Sequence, residues 1–189
     1  MNEIKIPDNW FEGYQSLEYE VPWQVPESIF KEAENLNEND IVLELGTGGS
    51  TLFLAKRVKW VYAVETSEEW YNTVNSKLSD NGIFNVNYYL LKEEQDIVNL
   101  ILSKDTTSVT VLSVDTQGGY NRSLLLDTFL SKGVTDKLKM IIIDNYSHDG
   151  LFPNHHNKNI MEYYPNWEYF SYDADRYAGN GTRIYLKNK

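Results

Sequence analysis

The sequence predicts an α/β fold: a mostly parallel sheet covered by helices on both faces and closed by an antiparallel hairpin. Three observations carry this. Five short apolar runs, at 41–45, 60–64, 86–91, 108–114 and 139–143, alternate with segments of helical period. The runs 108–114 and 139–143 are almost continuously apolar or β-branched, which suits parallel strands buried on both faces. Two later runs, 167–172 and 183–186, flank the turn-rich Ala178-Gly-Asn-Gly181 and read as the hairpin.

Each element has its own local reason. Residues 1–25 carry aromatics and two prolines without a sustained period, so they read as an irregular lead-in or short helix covering one end of the domain. Pro26 suits a first helical position, where its missing N–H is not needed, and Ile29, Phe30 and Ala33 give the helix an apolar stripe. After the polar break 35–40 comes the strand 41–45, then glycines at 46, 48 and 49. Ser50 is placed to cap a helix starting near Thr51 and patterned by Leu52, Phe53 and Ala55. Beyond strand 60–64, Thr66 and Glu69 fit a capping box, and Trp70, Val74 and Leu78 form the buried stripe of a helix stopped at Asn81-Gly82. Helices at 95–102 and 123–130 separate the remaining parallel strands, and 115–119 is a turn. The stretch 146–159 is long and polar, with His148, His155 and His156; the adjacent histidines 155 and 156 read as solvent-facing. With no repeat or linker, residues 1–189 are expected to form one domain, a lead-in and helix over 1–37 followed by a core over 38–189.

Composition narrows the function. The net charge is −11, and no dense Lys/Arg cluster offers a footprint for a phosphate backbone, so no nucleic-acid partner is expected. Cysteine is absent, which removes disulfides, thiolate metal clusters and cysteine nucleophiles together. No run of eighteen apolar residues is present, so no membrane span is expected. The first residues lack the apolar stretch of a secretory signal, and a cytoplasmic location is expected. Five Trp and fourteen Tyr, many near the two ends, suit packing anchors, the wall of a substrate pocket, or the interface of a homodimer.

The glycines after the first strand mark a binding turn. Ligands of doubly wound sheets bind beyond the carboxyl ends of the strands, where the strand order reverses. Gly46 and Gly48 allow a tight turn and close backbone approach, and Glu65 beyond the second strand is placed to accept ribose hydroxyls. A dinucleotide fingerprint counted from Gly46 needs glycine where Thr51 stands, and no phosphate-loop Gly-Lys-Ser/Thr follows. The run Glu44-Leu-Gly46-Thr-Gly48-Gly49-Ser50 resembles motif I of the class I S-adenosylmethionine-dependent methyltransferases, with Ser50 in place of the last glycine.

That resemblance, spanning roughly 38–189, implies a Rossmann-like methyltransferase fold of seven strands. It also implies S-adenosyl-L-methionine as cofactor. Gly46 and Gly48 would lie against its methionine part, Glu44 would orient its ammonium, and Glu65 would hold its ribose. Thr47, Ser50, Thr66 and Asp115 complete the candidate cofactor set, and 90–93 falls where such enzymes often contact adenine.

The reaction site is expected at two further strand ends. Asp115 follows the fourth strand, and Asp144-Asn145 follows the fifth. Their three side chains offer oxygen ligands for Mg2+ or another divalent cation. The spacing resembles the metal-dependent catechol-type O-methyltransferases, including Tyr120, but Gly118 stands where those enzymes usually carry a catalytic lysine. Asp115, Asp144 and His148 are the candidate catalytic residues: with a metal, His148 or ionisation of the substrate by that metal replaces the lysine, and without one Asp115 or His148 is the general base. Acids at strand ends also serve as plain helix or loop caps. Arg122 and Arg183 are candidates to attract an acidic substrate or, equally, to form surface salt bridges. The function expected is O-methylation of a small molecule. The alternatives are a catalytically silent nucleoside-binding or interaction domain and an NAD-dependent oxidoreductase.

Overall fold

The structure, a computed structural model, describes residues 4–9, 15–116, 121–132, 136–146, 160–173 and 181–188. Its strands are β1 (Ile41–Leu45), β2 (Trp60–Glu65), β3 (Val86–Leu90), β4 (Val111–Val114), β5 (Met140–Asp144), β6 (Glu168–Tyr172) and β7 (Thr182–Leu186). The helices are α1 (Gln15–Glu18), α2 (Pro26–Asn35), α3 (Gly49–Ala55), α4 (Glu68–Asp80), α5 (Glu94–Leu102) and α6 (Arg122–Ser131). The seven strands form one sheet in the order β3-β2-β1-β4-β5-β7-β6. The first five are mutually parallel, while β7 runs antiparallel to both β5 and β6. This is the mostly parallel seven-stranded sheet with a closing antiparallel hairpin expected from the sequence.

Alternation along the strands divides the core into two layers. Leu43, Leu45, Leu112, Val114, Ile141 and Ile143 face α5 and α6, meeting Ile97, Ile101, Leu125 and Phe129. Val42, Val61, Val111, Met140 and Ile142 face Ile29 of α2 and Phe53 and Leu54 of α3. Leu45 lies in register with both Val64 and Val114, and Val114 with Ile143, so four strands end on one rim. The order reverses between β1 and β4, the place where sheets of this kind bind their ligands. No helix among the described residues is long and apolar enough to cross a membrane.

Several local expectations shift. On α2 the buried face is Ser28, Ile29 and Glu32, and Phe30 points outward at 44% exposure. The reason is angular: positions 25, 28, 29, 32 and 36 follow one helical face, and Phe30 sits about 100° away from Ile29. The cap of α3 is Gly48, whose N–H donates to the Thr51 hydroxyl at 3.1 Å, so Ser50 lies inside the first turn. The cap of α4 is Ser67, accepting from the Trp70 N–H at 3.3 Å, one residue later than the Thr66–Glu69 box predicts. The fourth strand begins only at Val111, because Asp105–Ser108 winds into a 3-10 turn.

Two glycines of the turn are required by packing. Gly46 has a φ of +91°, and a Cβ there would lie 2.3 Å from the Asp115 carbonyl oxygen. At Gly49 a Cβ would lie 2.1 Å from the Val21 carbonyl oxygen and 2.3 Å from that of Ser16. The lead-in therefore rests directly on the first turn of α3. Replacing Gly49→Ala should lower the stability of the ligand-free protein by about 1–3 kcal/mol, the usual loss on overpacking a tight contact. The urea midpoint measures it; an unchanged midpoint would show that the lead-in does not rest there.

Candidate functional site

Glu44 sits one residue before the end of β1, on the face turned toward α2 and α3 with Val42. It is 1% exposed, and neither carboxylate oxygen has a hydrogen-bond partner among the described residues. Burial pushes its pKa up to about 8. The Ser50 and Thr51 hydroxyls oppose that rise without either closing a hydrogen bond, and Asp115 and Glu65 add to it. A buried acid with two idle oxygens is costly unless a donor or cation arrives to meet it. Gly48, four residues on, is the open position of the turn: among the described residues a Cβ there would meet only the Trp70 ring, at 3.7 Å.

Glu65, the last residue of β2, is held from two sides. Its Oε1 accepts from the Thr66 N–H at 2.7 Å and the Ser67 N–H at 2.9 Å. Its Oε2 accepts from the Thr47 hydroxyl at 2.6 Å, and the Tyr88 hydroxyl of β3 lies 2.8 Å from that same Thr47 oxygen. The Trp70 indole N–H donates to the Thr47 carbonyl at 2.7 Å and fixes the turn from below. Thr66 thus acts through Glu65, by orienting its carboxylate.

The structure brings Asp115, Asp144 and Asn145 together at the ends of β4 and β5, with Arg122 of α6 behind them. Arg122 is 1% exposed. Its Nε donates to the Thr116 carbonyl at 2.6 Å, Nη1 to the Asp144 carbonyl at 2.9 Å, and Nη2 to Asp115 Oδ1 at 3.5 Å. Asp144 Oδ1 accepts from the Thr182 hydroxyl at 2.8 Å, and Oδ2 from the Asn145 amide at 2.8 Å. Burial raises both carboxyl pKa values, Asp144 the further, because Asp115 repels it while Arg122 draws Asp115 back toward the ionised form. About a third of the Asp115 side chain is exposed, so it is the member of the pair that a ligand can reach.

The charge and hydrogen-bond pattern of these residues favours a closed polar network over a divalent-cation site. Each Asp144 oxygen already accepts one hydrogen bond, Asn145 turns its amide nitrogen toward Asp144, and the Arg122 guanidinium supplies a positive charge beside Asp115. No group of three His, Asp or Glu able to hold a metal occurs among the described residues. His148, with Gly118, Tyr120, His155 and His156, lies outside those residues.

Arg122 is an internal charge and does not face substrate, contrary to its sequence reading. Its signal was present: positions 122, 125, 126, 129 and 130 are the buried stripe of α6, and Arg122 begins it. Glu32 was missed in the same way. It is 2% exposed, with Oε1 unpartnered among the described residues, and burial together with Asp144 and Glu44 pushes its pKa well up.

No family model matches the sequence. The chain is 27% identical over 145 residues to ribosomal RNA small subunit methyltransferase A of Prochlorococcus marinus strain MIT 9312, a match covering 73% of this chain and 47% of that protein. It is 41% identical over 58 residues to the probable cobalt-precorrin-6B C(15)-methyltransferase (decarboxylating) of Methanococcus maripaludis strain C7, covering 30% of this chain and 32% of that protein. The chain thus spans about half or less of the length of these curated relatives. Among solved structures, a methyltransferase candidate from Streptococcus mutans in complex with SAH superposes with a TM-score of 0.63 at 18% identity, covering 87% of this chain and 99% of that one. The relatives are methyltransferases, and the fold is shared with methyltransferases.

Glu44 makes stability fall with pH in a defined window. Its folded pKa is raised, so the folded chain keeps a proton that the unfolded chain has lost between its ordinary 4.5 and about 8. That contribution is fully present below 4.5 and drains away as the pH rises through about 8. Glu44→Gln should therefore raise the melting temperature of the ligand-free protein at pH 8 and change it little at pH 4.5. Equal shifts at the two pH values would show that Glu44 is not a buried, raised acid.

Proposed function

We propose that this chain is an S-adenosylmethionine-dependent methyltransferase that methylates a hydroxyl oxygen of a small molecule. The observation that carries it is Glu44: a buried carboxylate with two idle oxygens, opposite Glu65, around a glycine turn at the switch point. The residues fit the cofactor. Glu44 would accept its ammonium, Glu65 its ribose, and Gly48 would leave room for its backbone approach. When bound, the cofactor supplies a methyl group on a sulfonium that departs as a neutral thioether.

The chain's own residues have modest demands to meet, because in-line displacement is governed mainly by positioning. Asp115, partly exposed and with a raised pKa, takes the proton from the acceptor hydroxyl. Arg122 holds Asp115 in place and keeps its ionised form accessible. Asp144, locked by Thr182 and Asn145, is a positioning residue that orients this pair. Supporting a small acceptor are the charge of −11 and the absence of a basic cluster. The relative that bears a ribosomal RNA name supports RNA as a second acceptor reading.

Calorimetry with S-adenosylhomocysteine should show binding, and NAD none; binding of NAD alone would replace this reading with an oxidoreductase. Asp115→Asn should retain cofactor binding within a few-fold and lower kcat by about 10²-fold or more on a panel of hydroxylated metabolites. Turnover should persist in a chelator, since the Arg122 guanidinium already offsets the charge of the acid pair. Methylation of ribosomal RNA, with none of the small-molecule panel, would move the acceptor to RNA.

A further inference from the structure

Hydrogen-bond accounting at Glu65 assigns a second receptor for the ribose. A carboxylate has about four acceptor positions, two on each oxygen. At Glu65, Oε1 already accepts from two backbone N–H groups, of Thr66 and Ser67, at 2.7 and 2.9 Å. Oε2 accepts from the Thr47 hydroxyl at 2.6 Å. One position on Oε2 is left, whereas a ribose presents two vicinal hydroxyl donors. Glu65 alone therefore satisfies one of them.

The partner for the other is next to it. Thr47 has a single hydroxyl proton, committed to Glu65, so at the 2.8 Å contact between Thr47 Oγ1 and Tyr88 the phenol must be the donor. Burial raises the Tyr88 pKa, which keeps the proton on the phenol. With its proton directed at Thr47, the phenol oxygen keeps its lone pairs for an incoming donor. The ring is fixed by stacking on Tyr71, centroids 4.3 Å apart, and the Thr47 carbonyl by Trp70.

We propose that Tyr88 is a cofactor-binding residue that accepts one of the two ribose hydroxyls while Glu65 accepts the other, with Thr47 as the hinge between them. The site then selects a nucleoside with an intact 2′,3′-diol. The proposal rests on the cofactor reading above and adds a residue in the middle of β3 to it.

Calorimetry with S-adenosylhomocysteine and its 2′-deoxy and 3′-deoxy counterparts tests both. The unaltered chain should prefer the parent over each deoxy ligand by about tenfold, the worth of one hydrogen bond left unmade. Tyr88→Phe, which keeps the ring, should lose about tenfold for the parent and bring one of the two preferences to near unity while the other survives. Thr47→Val, which releases the phenol from its donor contact, should weaken the same preference and serves if Tyr88→Phe does not fold. Both preferences unchanged in both variants would overturn the role of Tyr88 and leave the cofactor reading standing. No binding of any of the three ligands to the unaltered chain would overturn the cofactor reading and this proposal together.

Discussion

Where β1 and β4 finish side by side, two backbones come closer than any side chain would permit. Gly46 N–H donates to the Val64 carbonyl at 3.0 Å, and the bare Cα of Gly46 lies against the Asp115–Thr116 peptide. That contact sets the separation between the turn after β1 and the acid after β4. It follows that Glu44, before the glycine, and Asp115, across from it, are fixed relative to one another before any ligand arrives. The same turn carries Thr47 to Glu65 on the other side. Gly46 is therefore a spacer between the parts of the site, and the open face of the turn belongs to Gly48.

The charges behind the rim are unbalanced in one direction. Glu32, Glu44, Asp115 and Asp144 all have raised pKa values, with burial the largest cause of each. Arg122 offsets two of them, and Arg57 lies near Glu32. Glu44 is left with neighbouring acids and hydroxyls. Buried acids in such a setting retain protons or await a positive partner. An incoming ammonium would meet Glu44 without displacing any existing hydrogen bond, which is why the ligand-free site has a deficit there rather than a closed network.

The sheet was legible because strand burial is written in runs of Val, Ile and Leu, and each of the seven strands falls within two or three residues of its expected bounds. The cofactor turn was legible because glycine is informative where backbones meet. Caps were less so: Thr66, Ser67 and Ser50 are chemically alike, and only tertiary placement selects among them. Phe30 is exposed and Glu32 buried because helical phase, rather than residue polarity, sets which side of α2 faces inward. The acids after β4 and β5 were found, but their mutual partners were not. Whether Asp115, Asp144 and Asn145 point at a cation or at one another depends on Arg122, Thr182 and the orientation of one amide.

The two halves of the site differ in how they are held, and the difference suits their tasks. Glu65 is oriented by consecutive backbone amides and Thr47 by an indole N–H, so this half is built from short-range contacts at element ends. Asp115 and Asp144 are instead held by Arg122, which reaches from α6 to two strand ends at once. A rigid nucleoside needs fixed acceptors, and backbone amides supply them with little entropy to lose. A proton-accepting carboxyl needs a poised charge, and a buried guanidinium shared between two acids supplies that. The positive charge beside the acid pair is thus the same one that would poise Asp115 to accept a proton.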